Sequence, residues 1–453
     1  MKERKVCVIG AGLSGISHAL DKQANGNNVT VFEKNAEVGG VLQSKNIEGF
    51  LLDYGANTLS LRLRKTEEFL KHYEVFEHLV DADKECSKRF IIRGSKVISL
   101  PKSPLSFLTS SFLSPLGKLR LCMEPFISRK KDFEKDENMA DFVKRRLGNE
   151  VLDYAANPFI GGIYASSPET LILKHAFPSL FKMEQKYGSI FLALIRGGTN
   201  RLEKLPKTRL VSFKKGMQEL PIRLASKLKN PVFLSCKIKK IEKKSEGQWL
   251  VFFEDSRGKK KENYFDEIIC TIPSHNLGLI EWKDIRRPEL LREVAQADHP
   301  PLALTFLGFE RKQIEHALDG FGFLVPEVEK RKILGTLFSS TLFPNRSPRD
   351  HVLLTSFVGG ERNPELSKLP KNELIALAFS ENQVLLNIRG TPIFEHHKIW
   401  PKSIPLPDKS TERRILAAKT LREENQGLNI LGAHINGAPL PNCMVPNDPS
   451  LFD

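Results

Sequence analysis

The hydrophobic and polar positions of this chain fall into blocks of two periods. The first block opens with a short apolar run, Val6-Cys7-Val8-Ile9, β-branched enough to be a buried parallel strand. A second run, Val29-Thr30-Val31-Phe32, follows one helix length later. Residues 66–73 read as a helix, and 89–98 as a hairpin with Gly94-Ser95 at its turn. Beyond that the pattern loosens. Leu105, Phe107, Leu108, Phe112, Leu113, Leu116, Leu119 and Leu121 are interleaved with Ser, Pro and basic residues. That mixture predicts either a helical lid with a basic rim or a surface for an anionic bilayer. Residues 138–156 read as a helix with Asn138 as N-cap, and 212–228 as an amphipathic helix entered through Gly216. Short strands are expected at 232–234, 237–241 and 249–253, and a buried one at 265–273. A second excursion, 280–400, carries strand-like runs at 302–309, 322–325, 333–338 and 351–358, before a last strand at 428–432. Repeats and low-complexity segments are absent.

Between the first two strands lie Gly10, Gly12 and Gly15 at the GxGxxG spacing. The first glycine permits a tight turn, the second lets a pyrophosphate approach the backbone, and the third lets helix and strand pack closely. A helix starting near Leu13 and Ser14 would aim free N–H groups at that pyrophosphate. The second strand delivers Glu33, 18 residues past Gly15, where a carboxylate can accept both ribose hydroxyls of an adenosine. Gly39-Gly40 then resembles the paired-glycine motif of flavin amine oxidases, which sharpens the expectation from a dinucleotide to FAD. Gly55-Ala56-Asn57-Thr58 is similar to that superfamily's segment beside the isoalloxazine ring. Val41 stands where many members carry Arg.

Composition narrows the class. At 453 residues the chain is long enough for two or three domains, and 40% hydrophobic with 27% charged residues is ordinary for a globular protein. A net charge of +15 points to nucleic acid, an anionic membrane surface or a polyanionic substrate. Without a zinc finger, an aromatic RNA-binding signature or a basic tail, nucleic acid is not expected. Cys7, Cys86, Cys122, Cys236, Cys270 and Cys443 form no CxxC pair and read as free thiols of a reducing compartment. The first strand starts within five residues, which leaves no room for a leader peptide. No 18-residue apolar run occurs, so the expectation is a cytoplasmic protein. His175, His299 and His434 stand apart in sequence and read as structural.

Taken whole, the chain resembles the oxygen-dependent protoporphyrinogen oxidases. The resemblance runs from Val6 to about Cys443. Beyond the glycines it is carried by Pro158-Phe159-Ile160-Gly161-Gly162-Ile163-Tyr164-Ala165, Phe177-Pro178-Ser179-Leu180-Phe181 and Gly320-Phe321-Gly322-Phe323-Leu324-Val325-Pro326. Gly335-Thr336-Leu337-Phe338 and Phe357-Val358-Gly359-Gly360 extend it. It implies an α/β protein with a discontinuous, Rossmann-like FAD domain from 1–82, 205–280 and 401–453. A helical, membrane-facing insertion would span 83–204 and a mixed-sheet substrate domain 281–400. It also implies FAD contacts from Lys34, Ile238 and Gly432 besides the residues above. Phe321, Leu324, Leu337 and Phe357 would line an apolar slot for the macrocycle. Arg89 matches the arginine that holds a substrate carboxylate, and Gly162 a glycine whose backbone lies against flavin and substrate. The implied reaction moves hydride from a methylene bridge to flavin N5, with O2 as final acceptor, in three rounds from porphyrinogen to porphyrin. Coproporphyrinogen III is the alternative substrate. A flavin- or porphyrin-binding homologue with reduced turnover and another amine or carotenoid oxidoreductase are the other readings. Contact with the inner face of the cell membrane is expected, a homodimer is open, and no metal is needed.

The pattern breaks near the end. Leu406 to Thr411 replace a Tyr and a Gly-His pair, and Ala433 replaces an Asn. Met444-Val445-Pro446-Asn447-Asp448-Pro449 stands where the family starts a long helix facing the flavin. With the chain ending at Asp453, this reading expects that helix to be missing and its dipole lost or shortened.

Overall fold

The computed structural model describes residues 3–196 and 209–444, apart from 62, 84, 85, 87 and 246. The two apolar runs are β1 (Lys5–Ile9) and β2 (Asn28–Phe32), joined by the helix Leu13–Ala24. A hairpin of β3 (Ser44–Ile47) and β4 (Phe50–Asp53) follows, then β5 (Leu59–Leu61) and β6 (Leu79–Asp81). β7 (Lys88–Arg93) and β8 (Lys96–Ser99) turn over Gly94 and Ser95 as expected. After a helical stretch come β9 (Arg209–Phe213), β10 (Lys237–Lys243), β11 (Trp249–Glu254), β12 (Lys260–Phe265), β13 (Glu267–Cys270) and β14 (Glu281–Lys283). Then follow β15 (Leu302–Glu310), β16 (Gly320–Leu324), β17 (Ile333–Phe338), β18 (His351–Gly359), β19 (Phe394–Trp400) and β20 (Leu428–Ile430).

Two sheets place the site. The first, in order β2-β1-β13-β20, is wholly parallel. Val6 and Val8 pack under Ile16 and Leu20 of the first helix, while Cys7 and Ile9 meet Trp249, Ile268 and Cys270 on the other side. Burial on both faces is why these strands read as unbroken apolar runs. The second sheet has seven strands in the order β19-β15-β18-β17-β16-β7-β8. One face, with Phe90, Ile92, Phe323, Phe338 and Val358, is covered by Leu374, Ile375 and Ala378 of the helix Lys371–Leu386. On its opposite face Leu302, Leu304 and Phe306 pack with Phe50 and Leu52 of the β3–β4 hairpin.

Several sequence expectations shift. The β7–β8 hairpin, assigned to the helical insertion, is built into the seven-stranded sheet, where β7 satisfies its ladder by pairing with β16. Residues 281–295 stay with the nucleotide lobe: β14 pairs with β10, and Val294 packs against Ala417, Ala418 and Leu421. The expected helix at 212–228 begins as the end of β9, and only Glu219–Ala225 is helical. Asn138 does cap the next helix, its Oδ1 accepting from the Asp141 N–H at 2.7 Å, but that helix ends at Arg146. A π-helical turn, Leu152–Ala156, follows. The strand expected at 232–234 is reduced to one bridge, Phe32 to Phe233. The boundary set at 204/205 lies outside the described residues.

The insertion has its own core of Phe142, Val143, Ile160, Leu171 and Leu173. Arg146 is fully buried there, donating to the Ile127 carbonyl at 2.7 Å beside Glu184. Outside that core Leu105, Leu108, Leu116, Leu119, Phe126 and Ile195 are exposed, Phe126 to 83%. Among the described residues no helix is long and apolar enough to cross a membrane.

Candidate cofactor and substrate site

The cofactor cradle is made of backbone. A Cβ on Gly15 would sit 1.9 Å from the Gly10 carbonyl oxygen, so no side chain fits where helix and β1 cross. Thr271, at the end of β13, seals the turn: its hydroxyl donates to the Ile9 carbonyl at 3.0 Å. No signal along the chain points to that role, because it depends on β13 lying beside β1. Gly12 bridges to Gly39 and lies against Gly40, which brings the two glycine motifs together. The Leu13–Ala24 helix has Gly12 as N-cap, with no side-chain cap and no acid in its first turn, so its N-terminal donors face the cradle unopposed.

Glu33 ends β2 and is 5% exposed. Its Oε2 accepts from the Ala11 N–H at 2.8 Å, and its Oε1 from the Asn35 N–H at 2.9 Å and Asn35 Nδ2 at 2.7 Å. Held this way, Oε2 keeps a lone pair for a ribose hydroxyl, while Asn35 takes both of those on Oε1. Lys34 is exposed beside it. Ile238 is buried among Phe32, Phe253 and Cys236, on a strand tied to β2 by the Cys236 N–H donating to the Glu33 carbonyl at 2.8 Å. Gly55 runs against the carbonyl of Val41, which lays Ala56, Asn57 and Thr58, all half-buried, along the paired-glycine turn. Gly432 caps the short helix Ala433–Asn436 at the end of β20, with its Cα region against Thr271 and His434.

Ahead of the segment expected to lack the family's long helix, a short helix forms at Leu440–Met444. Met444 is fully buried in the core with Leu13 and Ile16. Cys443 lies beside Ser14, and burial pushes its thiol pKa up against that hydrogen bond. Residues 445–453 lie outside the described residues. These residues fit FAD: a side-chain-free cradle, an uncapped helix start and an oriented carboxylate.

The side chains expected to line the substrate slot lie on the inner face of the seven-stranded sheet. Leu337 stands opposite Gly322, Leu324 opposite Gly335, and Gly335 opposite Phe357, so Leu324, Leu337 and Phe357 share one face. Phe321 should by alternation point away. It does not, because β16 carries an extra residue against β7: Gly320 pairs with Lys88 but Phe323 with Phe90. Gly322 makes the bulge at φ +138°, and a Cβ there would meet the Thr336 carbonyl oxygen at 2.2 Å. The bulge turns Phe321 onto the slot face, where it packs near Leu337, Cys86, Leu342 and Phe343. It also stacks Phe321 under Arg89, whose guanidinium lies 4.2 Å from the ring centroid. Arg89 donates to the carbonyls of Cys86 and Lys88, both at 3.3 Å, and has no carboxylate partner among the described residues. Its neighbour Lys88 is paired with Asp319.

Gly162 forms the facing wall, on the helix Asn157–Tyr164. An added Cβ would be 2.6 Å from Leu324 Cδ2, so helix and slot meet there. All six residues expected around the substrate, Arg89, Gly162, Phe321, Leu324, Leu337 and Phe357, are therefore brought together. The histidines are less isolated than they read. His299 stacks edge-on with His275 at 5.0 Å and bonds Ser274 and Ser403. His434 is buried near both and near Arg414, which with desolvation lowers its pKa to about 3. His175 is half-buried.

Comparison with known proteins agrees with this geometry. The family described as flavin containing amine oxidoreductase matches residues 13–415. "Protoporphyrinogen oxidase 2, chloroplastic/mitochondrial" of Arabidopsis thaliana is 34% identical over 459 residues, covering 96% of this chain and 90% of that protein. A coproporphyrinogen III oxidase of Staphylococcus aureus is 25% identical, covering 98% of this chain and 97% of its own. The crystal structure of an Exiguobacterium sp. 255-15 protein bearing the name of a protoporphyrinogen oxidase shares the fold, with a TM-score of 0.80 at 20% identity over 100% and 98% of the two chains. The chain belongs to the flavin-containing amine oxidoreductase family and is an FAD-dependent oxidoreductase of its protoporphyrinogen oxidase type.

Proposed function

We propose that the protein oxidises protoporphyrinogen IX to protoporphyrin IX with O2 as acceptor. The observation that carries this reading is the slot: four apolar side chains on one sheet face, with Arg89 free of any described carboxylate at its rim. A porphyrinogen is a broad, nearly apolar macrocycle with carboxylate arms along one edge. Phe321, Leu324, Leu337 and Phe357 would hold the macrocycle and exclude water, and Arg89 would pair with an arm. Gly162, lacking a side chain, lets its helix close directly on Leu324 at the edge of the space for the macrocycle. When bound, FAD supplies the hydride acceptor. Over three rounds three hydrides and three protons leave the macrocycle, and three O2 become three H2O2.

The test is porphyrin fluorescence from protoporphyrinogen IX in air, with purified protein and FAD. A rise that depends on Arg89 supports the reading; a flat trace with FAD bound sinks it. Coproporphyrinogen III is the second reading, favoured by the full-length similarity to the Staphylococcus aureus protein. Running both substrates side by side, with chromatography of the products, separates them. The lone rim guanidinium suits two carboxylates on one edge better than four around the ring.

We read the protein as cytoplasmic and held at the inner face of the membrane. What supports this is the exposed set Leu105, Leu108, Leu116, Leu119 and Phe126 next to Lys118 and Arg120. Sedimentation with vesicles containing anionic lipid tests it; no binding at low salt would sink it.

A further inference from the structure

Behind the Gly162 helix lies a partly buried polar cluster that the reaction itself does not use. β18 ends in Gly359-Gly360, both at positive φ, and the turn throws Glu361 and Arg362 under the two ends of the Asn157–Tyr164 helix. Glu361 holds the C-terminal end: its carboxylate accepts from the Ser167 N–H at 2.9 Å and from the Ser166 hydroxyl, and its own N–H donates to the Ala165 carbonyl at 2.8 Å. Arg362 crosses beneath Gly161, whose added Cβ would lie 3.5 Å from Nη2, and reaches the N-terminal end. There Nη2 donates to Asn157 Oδ1 at 2.9 Å, while Nη1 donates to the Val325 carbonyl, also at 2.9 Å. Asn157 Nδ2 donates to Glu327 Oε2 at 3.0 Å, and its Oδ1 accepts from the Glu327 N–H at 3.0 Å. One guanidinium thus ties the start of the Gly162 helix to the exit of β16, the residue after Leu324. Asn157 also follows directly on the π-helical turn Leu152–Ala156, an irregularity that sets where the helix begins.

From this geometry we infer that Arg362, with Asn157 as its relay, is a positioning residue that fixes the contact of Gly162 on Leu324 and so where the helix closes the substrate slot. It touches neither substrate nor cofactor; it acts through the helix it holds. The inference rests on the proposed porphyrinogen reading, and the wild-type protein serves as the control that tests that reading separately. Steady-state kinetics with protoporphyrinogen IX, FAD affinity and protoporphyrin IX binding by fluorescence quenching would be compared for wild type, Arg362→Met, Asn157→Ala and the double variant. A shift of the wall by a fraction of an ångström should lower kcat/KM roughly 10- to 100-fold. Product binding should weaken in parallel and FAD affinity stay unchanged. The double variant should be no worse than Arg362→Met, since both break one connection. Glu327→Gln keeps an acceptor for Asn157 but loses the ion pair with Arg362 Nε at 3.8 Å, so its effect should fall between wild type and Arg362→Met. Loss of FAD binding in step with activity, or additive effects in the double variant, would overturn the inference in favour of general destabilisation. Unaltered kinetics in a folded Arg362→Met protein would overturn it outright. Failure of the wild type to oxidise the substrate would instead remove the reading beneath it.

Discussion

The cofactor cradle and the substrate slot are built by opposite means. The cradle is mostly backbone, its glycines close together between Gly10 and Gly55, and works by what its residues lack: a Cβ at Gly15, a cap at Gly12. The slot is side chains gathered from Arg89 to Phe357 across four strands and one helix, and works by what they present. A backbone site tolerates no substitution at its contact points and much variation elsewhere. A side-chain site can be trimmed one group at a time, each with a graded effect.

The largest effect should therefore come from the cradle. Gly15→Val would put side-chain atoms into the Gly10 carbonyl and Thr271, and the purified protein should lack the yellow of bound FAD and show no turnover. A folded, FAD-replete variant would break the comparison. In the slot, Arg89→Ala should leave FAD bound but cost roughly 1.5–3 kcal/mol of substrate binding, or about 10- to 100-fold in kcat/KM. Arg89→Lys should recover part of it, because a point charge replaces a planar fork. Phe321→Leu is expected to cost less, about 0.5–2 kcal/mol, by removing the ring on which Arg89 stacks. An effect as large as that of Arg89→Ala would mean that Phe321 orders the guanidinium entirely. Chromatographic assay with both porphyrinogens sharpens each result.

A further effect is on stability against pH rather than on turnover. His434 and His18 are buried, and desolvation lowers their pKa from 6.5 to about 3 and about 4. The unfolded chain takes up protons first as pH falls, so the stability these neutral rings contribute is complete above pH 6.5 and drains away below it. Each such histidine should cost about 1.4 kcal/mol per pH unit between its unfolded and folded pKa. Thermal denaturation from pH 7.5 downward should flatten in a His434→Asn variant; an unchanged slope would contradict the burial argument.

The contrast also explains what could be read in advance. The glycines, Glu33 and the parallel strands were legible because their signals lie close together along the chain. Asn138 was legible for the same reason. Thr271 and Asn35 were not, since their roles depend on which strand ends beside the glycine turn and on a carboxylate two residues away. The slot residues were visible by resemblance, but alternation along β16 points Phe321 to the wrong face. Only the register against β7 shows the bulge that corrects it. The hairpin at Lys88–Arg93 was recognised as a hairpin yet placed in the wrong domain, because the partner of its free edge lies more than two hundred residues further on. The long helix expected to be missing after Met444 falls outside the described residues; the short helix Leu440–Met444 ahead of it has Pro439 and Pro441 near its first turn, where a proline gives up no internal hydrogen bond.

The most direct test mixes FAD-loaded protein with protoporphyrinogen IX in the absence of oxygen and follows the visible absorbance of the bound flavin. The account predicts rapid bleaching with porphyrin appearing in step, slowed in Arg89→Ala and restored to yellow when air is admitted. A flavin that stays oxidised over saturating porphyrinogen would contradict it, whatever the similarity to named relatives.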